Sequence, residues 1–159
     1  MKELLEYRSS LINRLVEAAH EFRAACLARK DAFAPLEPGA WNVHQIAAHT
    51  RDVDKLVYGS RVRRTAAEDN PEFKNFDGEA YMAEQYSAGE PLEAILDELV
   101  GNIESLAEML RSLPSEAWSR ESRHSMLGRG LTLQTWVEKD LAHIVEHLGS
   151  IKKADSQLV

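Results

Sequence analysis

Apolar positions recur at helical spacing in four long stretches of this chain, and segments rich in Gly, Pro, Asn and Asp separate them. The first stretch runs from about Leu4 to Arg29, with Leu4, Leu11, Leu15, Ala18, Phe22 and Cys26 on one stripe and charges between them. Pro35, Pro38 and Gly39 end it. A second helix is predicted from Asn42 to about Thr65. Asn is a favoured N-cap, and Gln45 sits where the reciprocal bond of a capping box requires it. Gly59 weakens this helix locally. A third helix spans about Pro91 to Ser112, with Leu92, Ile95, Leu96, Leu99, Ile103 and Leu106 on its apolar stripe. The fourth starts at Thr132 or a neighbour and reaches about Lys153 on a stripe of Leu133, Val137, Leu141, Ile144, Leu148 and Ile151. No stretch shows strand period and no tandem repeat is visible. The pattern predicts an all-α protein, a four-helix bundle forming one domain over residues 1–159, with long connections after the second and third helices.

Those connections are long for a bundle. Ala67 to Gly89 holds turn chemistry with aromatics, and Asp77 is placed to cap a short helix through Tyr86. Leu113 to Leu131 holds Pro114, Gly128 and Gly130. Loops of this kind are binding loops or lids, or else decoration packed over one end of the bundle.

Composition narrows the classes. A chain of 159 residues can bury one substantial core. Its one cysteine excludes an intrachain disulfide or a Cys-based zinc knuckle, and Cys26 on the apolar stripe reads as a small buried hydrophobe. A formal net charge of −7 disfavours nucleic acid and anionic membranes as partners. No apolar run approaches the roughly 20 residues that span a bilayer. The first residues carry acids where a signal peptide is basic, so the expected compartment is the cytoplasm. One basic run, Arg61-Val-Arg-Arg64, stands out, with Arg51 ten residues earlier. It reads mainly as a cationic helix end complementing the dipole, with a docking site for an anionic group as the other reading.

The candidate chemistry lies in histidines. His143 and His147 are four apart on the last predicted helix, hence about 40° apart around its axis, close enough to hold one metal ion without bending the backbone. Taken alone, such pairs are more often structural. The embedding H-x-x-E-H also matches an inverted zinc-protease motif, whose further acidic ligand has no evident place here. His49 is the best third ligand. It shares a stripe of the second helix with Asn42, Gln45, Asp52, Val53 and Leu56. His44 is about 140° away around that axis and reads as a first-turn surface residue. His20 reads as solvated, and His124 as a loop residue near the bundle end. Trp136 is placed to wall a pocket, and Asp140, one turn before His143, to orient its imidazole. Asp52 and Glu146 are further acids within range. Three inward imidazoles would leave at least one open coordination position, as in catalytic rather than structural zinc sites, and imidazole also suits nickel, cobalt or ferrous iron.

The run from Trp41-Asn-Val-His-Gln-Ile46 through His49, then Gly130-Leu-Thr-Leu-Gln-Thr-Trp136, then Asp140-Leu-Ala-His143-Ile-Val-Glu-His147-Leu-Gly149, resembles the DinB-like family of metalloproteins in order and spacing over nearly the whole chain. In that family a Trp-containing loop opens the second helix, whose His joins two on the last helix. The resemblance implies a metal triad of His49, His143 and His147, with zinc or nickel as the divalent ion. It also implies a homodimer and a small-molecule substrate. Characterised members transfer a low-molecular-weight thiol such as bacillithiol or mycothiol, so the implied activity is transfer of such a thiol to a small electrophile. The alternatives are a metal-dependent hydrolase and a non-catalytic metal or small-ligand binder of stress responses. The chain departs from the family after the second His of the pair, where Arg-Gly-Gln is frequent and Leu148-Gly149-Ser150 stands here.

Overall fold

The computed structural model describes residues 1–157; Leu158 and Val159, the end of the domain expected over 1–159, lie outside the described residues. Helix α1 (Lys2–Leu27) packs against α5 (Leu92–Ser112) and α6 (Leu133–Ser156). The fourth arm is one continuous right-handed helical rod made of α2 (Val43–Val53), a π-helical turn (Asp54–Tyr58) and α3 (Gly59–Ala67). Its first half packs on α5 and its second half on α6. Leu15, Phe22, Ile95, Leu99, Ile103 and Ile144 are fully buried along the bundle axis, and Cys26 is buried among them. Burial pushes the Cys26 thiol up to about 12, which keeps it protonated and inert as an apolar filler.

The predicted caps form. Asn42 Oδ1 accepts from Gln45 N at 2.8 Å and Gln45 Oε1 accepts from Asn42 N at 2.9 Å, a complete capping box. Asp77 caps α4 (Gly78–Gln85), and Thr132 caps α6 through Thr135 N at 3.2 Å. None of the described helices is long and apolar enough to cross a membrane.

Two expectations change. The connections are not free of strands: β1 (Glu72–Phe73) pairs parallel with β2 (Glu121–His124), which pairs antiparallel with β3 (Gly128–Thr132). This small sheet sews the two long connections together over one end of the bundle. Strand periodicity is invisible because the inward residues of β2 are polar, Ser122 and His124. Ser122 Oγ accepts from the buried Trp136 Nε1 at 2.7 Å and donates to Leu131 O at 2.7 Å, so β2 is docked by hydrogen bonds, while Phe73 of β1 packs its ring against Trp136.

The second correction is the π-turn. A regular helix would put Leu56 on the stripe of His49, yet Leu56 is 43% exposed while Val57 is 6% exposed. The extra residue shifts the phase of everything that follows. Gly59 accommodates the turn: a Cβ there would lie 2.6 Å from Asp54 O. It is therefore a fitted residue and not a simple weak point.

Candidate metal centre

Helix α2 carries His49, and α6 carries His143 and His147. The bundle turns all three inward, midway along α6, where Phe76 and Gly78 of the first long connection come up beside His49. His49 Nε2 and His143 Nε2 are 3.2 Å apart, and His143 Nε2 and His147 Nε2 are 3.1 Å apart. One ligand atom from each ring falls within 4.8 Å of the others. Two nitrogens each about 2.1 Å from one ion and about 90–110° apart are about 3.0–3.4 Å from each other, so the spacing fits a shared ion.

Protonation fits as well. Burial lowers all three imidazoles: His49 to about 4, His143 to about 3, and His147 below its ordinary value. Mutual repulsion among the rings adds to burial for His49 and His143. The triad is neutral at pH 7. The Nδ1 atoms of His49 and His143 are buried with no hydrogen-bond partner. With the ring proton on Nδ1, the three Nε2 lone pairs point at one another, an arrangement that a shared cation relieves. The donor set of three neutral imidazoles suits zinc or another divalent transition ion.

Aromatic rings frame the cluster. Trp41 lies 5.0 Å from the His49 ring and Tyr58 lies 5.8 Å from the His143 ring, centroid to centroid. Trp136 sits one layer deeper, fully buried, and walls the site indirectly through Tyr58. Gly78 crowds the triad from outside: a Cβ there would meet His49 Cε1 at 3.0 Å. Two cavities meet the cluster, each at different histidines. One, of about 280 Å³, reaches His147 past Trp41, Ile46, Ser150 and Lys153. The other, of about 320 Å³, reaches His49 and His143 past Tyr58, Arg61 and His124. Ser150, at the position where the family often has Gln, bonds back to Glu146 O at 3.3 Å and leaves the first cavity open.

The remaining candidates separate. His44 is not on the surface. It is 1% exposed, donating from Nε2 to Glu90 O at 2.6 Å and accepting at Nδ1 from Tyr86 Oη at 2.6 Å. It pins the first connection to α2, and as expected from its angle it stays outside the triad. His20 is exposed and bonded to Glu104. His124 is 5% exposed; its Nδ1 accepts from Met126 N at 3.0 Å and Leu127 N at 3.1 Å and so closes the β2–β3 turn.

None of the three acids expected near the site bonds to the triad. Asp52 accepts from Arg51 Nε at 3.0 Å, and Glu146 is exposed. Asp140 does not orient His143. It is fully buried beside Asp54 from the π-turn, and burial together with that neighbouring carboxyl holds it well above the usual carboxylate range. Sequence reasoning missed Tyr58, and it named Arg61 only within the basic run Arg61–Arg64 and not beside the histidines, because the π-turn moves both. Its signal is Gly59 in mid-helix, read as a weakness.

A helical bundle with an inward three-histidine cluster and an open approach through two cavities is the class that fold and site define. Residues 14–151 match the model of the DinB superfamily, and the chain belongs to that superfamily. Among solved structures it is similar to YfiT from Bacillus subtilis, described as "a probable metal-dependent hydrolase with an unusual four-helix bundle topology". The TM-score is 0.87 at 21% identity, over 96% of this chain and 88% of that one. No curated protein matches the chain.

Proposed function

We propose that His49, His143 and His147 hold one divalent metal ion, zinc or nickel, and that the protein is a cytoplasmic enzyme transferring a low-molecular-weight thiol to a small electrophile there. The observation that carries this reading is the convergence of three neutral Nε2 atoms beside two cavities. A divalent ion in that position supplies Lewis acidity, lowering the pKa of a thiol or a water so that either is a nucleophile near neutral pH.

The chain's own residues divide the work. His49, His143 and His147 fix three coordination positions and, being neutral, need no deprotonation before they ligate. Trp41 and Tyr58 exclude water from the faces of the rings. The two cavities give separate entries for two reactants, one along His147 and one along His49 and His143. Thiol transfer is favoured over hydrolysis because none of Asp52, Asp140 and Glu146 hydrogen-bonds the triad or lines either cavity as a general base would. The acid lining either of the two cavities, among the described residues, is Glu37. A thiol is acidic enough to ionise under metal influence alone, whereas hydrolysis at metals gains from a base aligned on the water. A cytoplasmic setting supplies reduced thiols.

The test is turnover. Zinc- or nickel-loaded protein is mixed with bacillithiol, mycothiol or cysteine and a chromogenic electrophile such as chlorodinitrobenzene. Conversion above the free-thiol rate, lost on chelation and lost in His143→Ala, is the expected result. Ester hydrolysis by the loaded protein without added thiol would move the assignment to the second reading, a metal-dependent hydrolase like that described for YfiT. Stoichiometric metal binding with neither activity would make the protein a metal or small-ligand binder.

A further inference from the structure

The cavity on the His49/His143 side holds an unusual cation. Arg61 is 8% exposed, yet the bond its guanidinium makes is from Nη2 to the backbone oxygen of Lys74 at 3.0 Å. No carboxylate lies within ion-pair distance of it among the described residues, although the chain carries a net charge of −7. Every other buried arginine has partners of its own. Arg51 is held by Asp52, Glu90 and Glu98, and Arg8 by Gln134 and Ser115. What surrounds Arg61 instead is aromatic: the rings of Trp136, Phe73 and Tyr58 have centroids 4.7, 5.7 and 6.0 Å from Cζ. Cation–π contact offsets part of the burial cost and engages the guanidinium carbon, but it leaves the in-plane N–H donors unused.

The rest of that cavity is consistent with the same ligand. His124 spends Nδ1 as an acceptor for two backbone N–H groups, so its ring proton sits on Nε2 and makes a second donor in the cavity wall. Asn75 adds an amide. Among the described residues, no Asp or Glu lines this cavity. The π-turn is what brings the cation here. Twelve residues along a regular α-helix leave His49 and Arg61 about 120° apart, and one inserted residue reduces that to about 20°. Removing a charge from water without a partner is costly, and a helix that does so beside an open cavity has left the partner's place to a ligand.

We propose that this cavity is an anion subsite, in which Arg61, assisted by His124 Nε2–H, binds the carboxylate of a small substrate and presents the rest of it to His49 and His143. The guanidinium fork matches a planar carboxylate bidentately. One cation balances one negative charge, which favours a carboxylate over a phosphate carrying nearly two. The part of the proposal that concerns the substrate's reacting end rests on the metal reading above; anion binding itself does not.

The experiment is a fluorine NMR titration of the full-length protein, zinc-loaded and chelator-treated, with 4-fluorobenzoate and its neutral analogue 4-fluorobenzamide. The subsite predicts that the benzoate binds with or without zinc, at least tenfold tighter than the benzamide, and at least tenfold weaker to Arg61→Gln, a change of about 1.4 kcal/mol or more. Arg61→Lys should retain part of the binding by charge alone. Equal binding by wild type and Arg61→Gln overturns the proposal, as does no binding by wild type. Binding that requires zinc and ignores Arg61 overturns it too, because the carboxylate then sits on the metal. Inorganic phosphate displacing the probe at lower concentration than acetate does overturns the carboxylate assignment. Where Arg61→Gln does not fold, wild-type chemical shifts decide: benzoate-induced shifts at Met126 and His124 support the subsite, and shifts confined to the Lys153 side contradict it. Arg61-dependent binding in a protein that takes up no zinc would support the subsite and sink the metal reading alone.

Discussion

Three imidazoles crowded around one point are tolerable only while all stay neutral, and burial arranges that for His49, His143 and His147. A second buried set, Asp140 with Asp54, has the opposite requirement: two carboxyls in an apolar setting hold a proton. Asp140 has its folded pKa raised above the unfolded value near 3.8. The folded state therefore binds that proton more tightly, and the resulting stability is present below the unfolded pKa and lost as pH rises through the folded one. Asp140→Asn removes this dependence. Its unfolding free energy in denaturant titrations should exceed that of wild type by a margin that grows as pH is raised from 4 to 8, reaching on the order of 1–3 kcal/mol. A margin that shrinks over that range would contradict the buried pair. The His143/His147 pair was legible in the sequence because helical spacing alone aligns the two, and His49 joined it through its place on the second helix and the family resemblance. The Asp54–Asp140 pair was not, since it joins different elements through a turn that the pattern does not announce. His44 shows the same limit: its angle excluded it from the triad, but only the chain returning through Tyr86 and Glu90 buries it.

At the scale of elements, the π-turn and the small sheet set what faces the site. The capping residues Asn42, Asp77 and Thr132 were readable because a cap needs only its own neighbours. The π-turn depends on how Asp54 and Gly59 meet, and the sheet on polar residues buried against Trp136. Gly59→Ala places a methyl against the Asp54 carbonyl and should cost about 1–3 kcal/mol in a denaturant titration. A stability equal to wild type would mean that the turn is not tight there. Ser122→Ala leaves the Trp136 indole N–H without its acceptor, at about 1–3 kcal/mol. Its indole proton should exchange with deuterium faster than in wild type; unchanged exchange would contradict the hydrogen-bonded docking of β2.

For the whole molecule, the bundle supplies a rigid frame and the two long connections line a cavity at the histidines. An ion held by folded histidines and released on unfolding raises stability by mass action, about 2.7 kcal/mol at a hundredfold excess over its dissociation constant. Thermal scans of chelator-treated protein should therefore shift upward on adding zinc, and scans of His143→Ala should not. The four apolar stripes foretold this frame because each helix buries one face. What the connections do was not readable, since the cavity they line with Asn75, Phe76, His124 and Met126 brings together residues far apart in sequence, joined by the pairing of β1 with β2.

The most direct measurement of the central claim is the metal content of tag-free protein after equilibration with zinc or nickel and removal of free ion. Wild type should carry about one ion per chain. His49→Ala, His143→Ala and His147→Ala should each lose stoichiometric metal while keeping the helical circular dichroism of wild type. Wild-type stoichiometry in any one of the three variants would contradict the assignment.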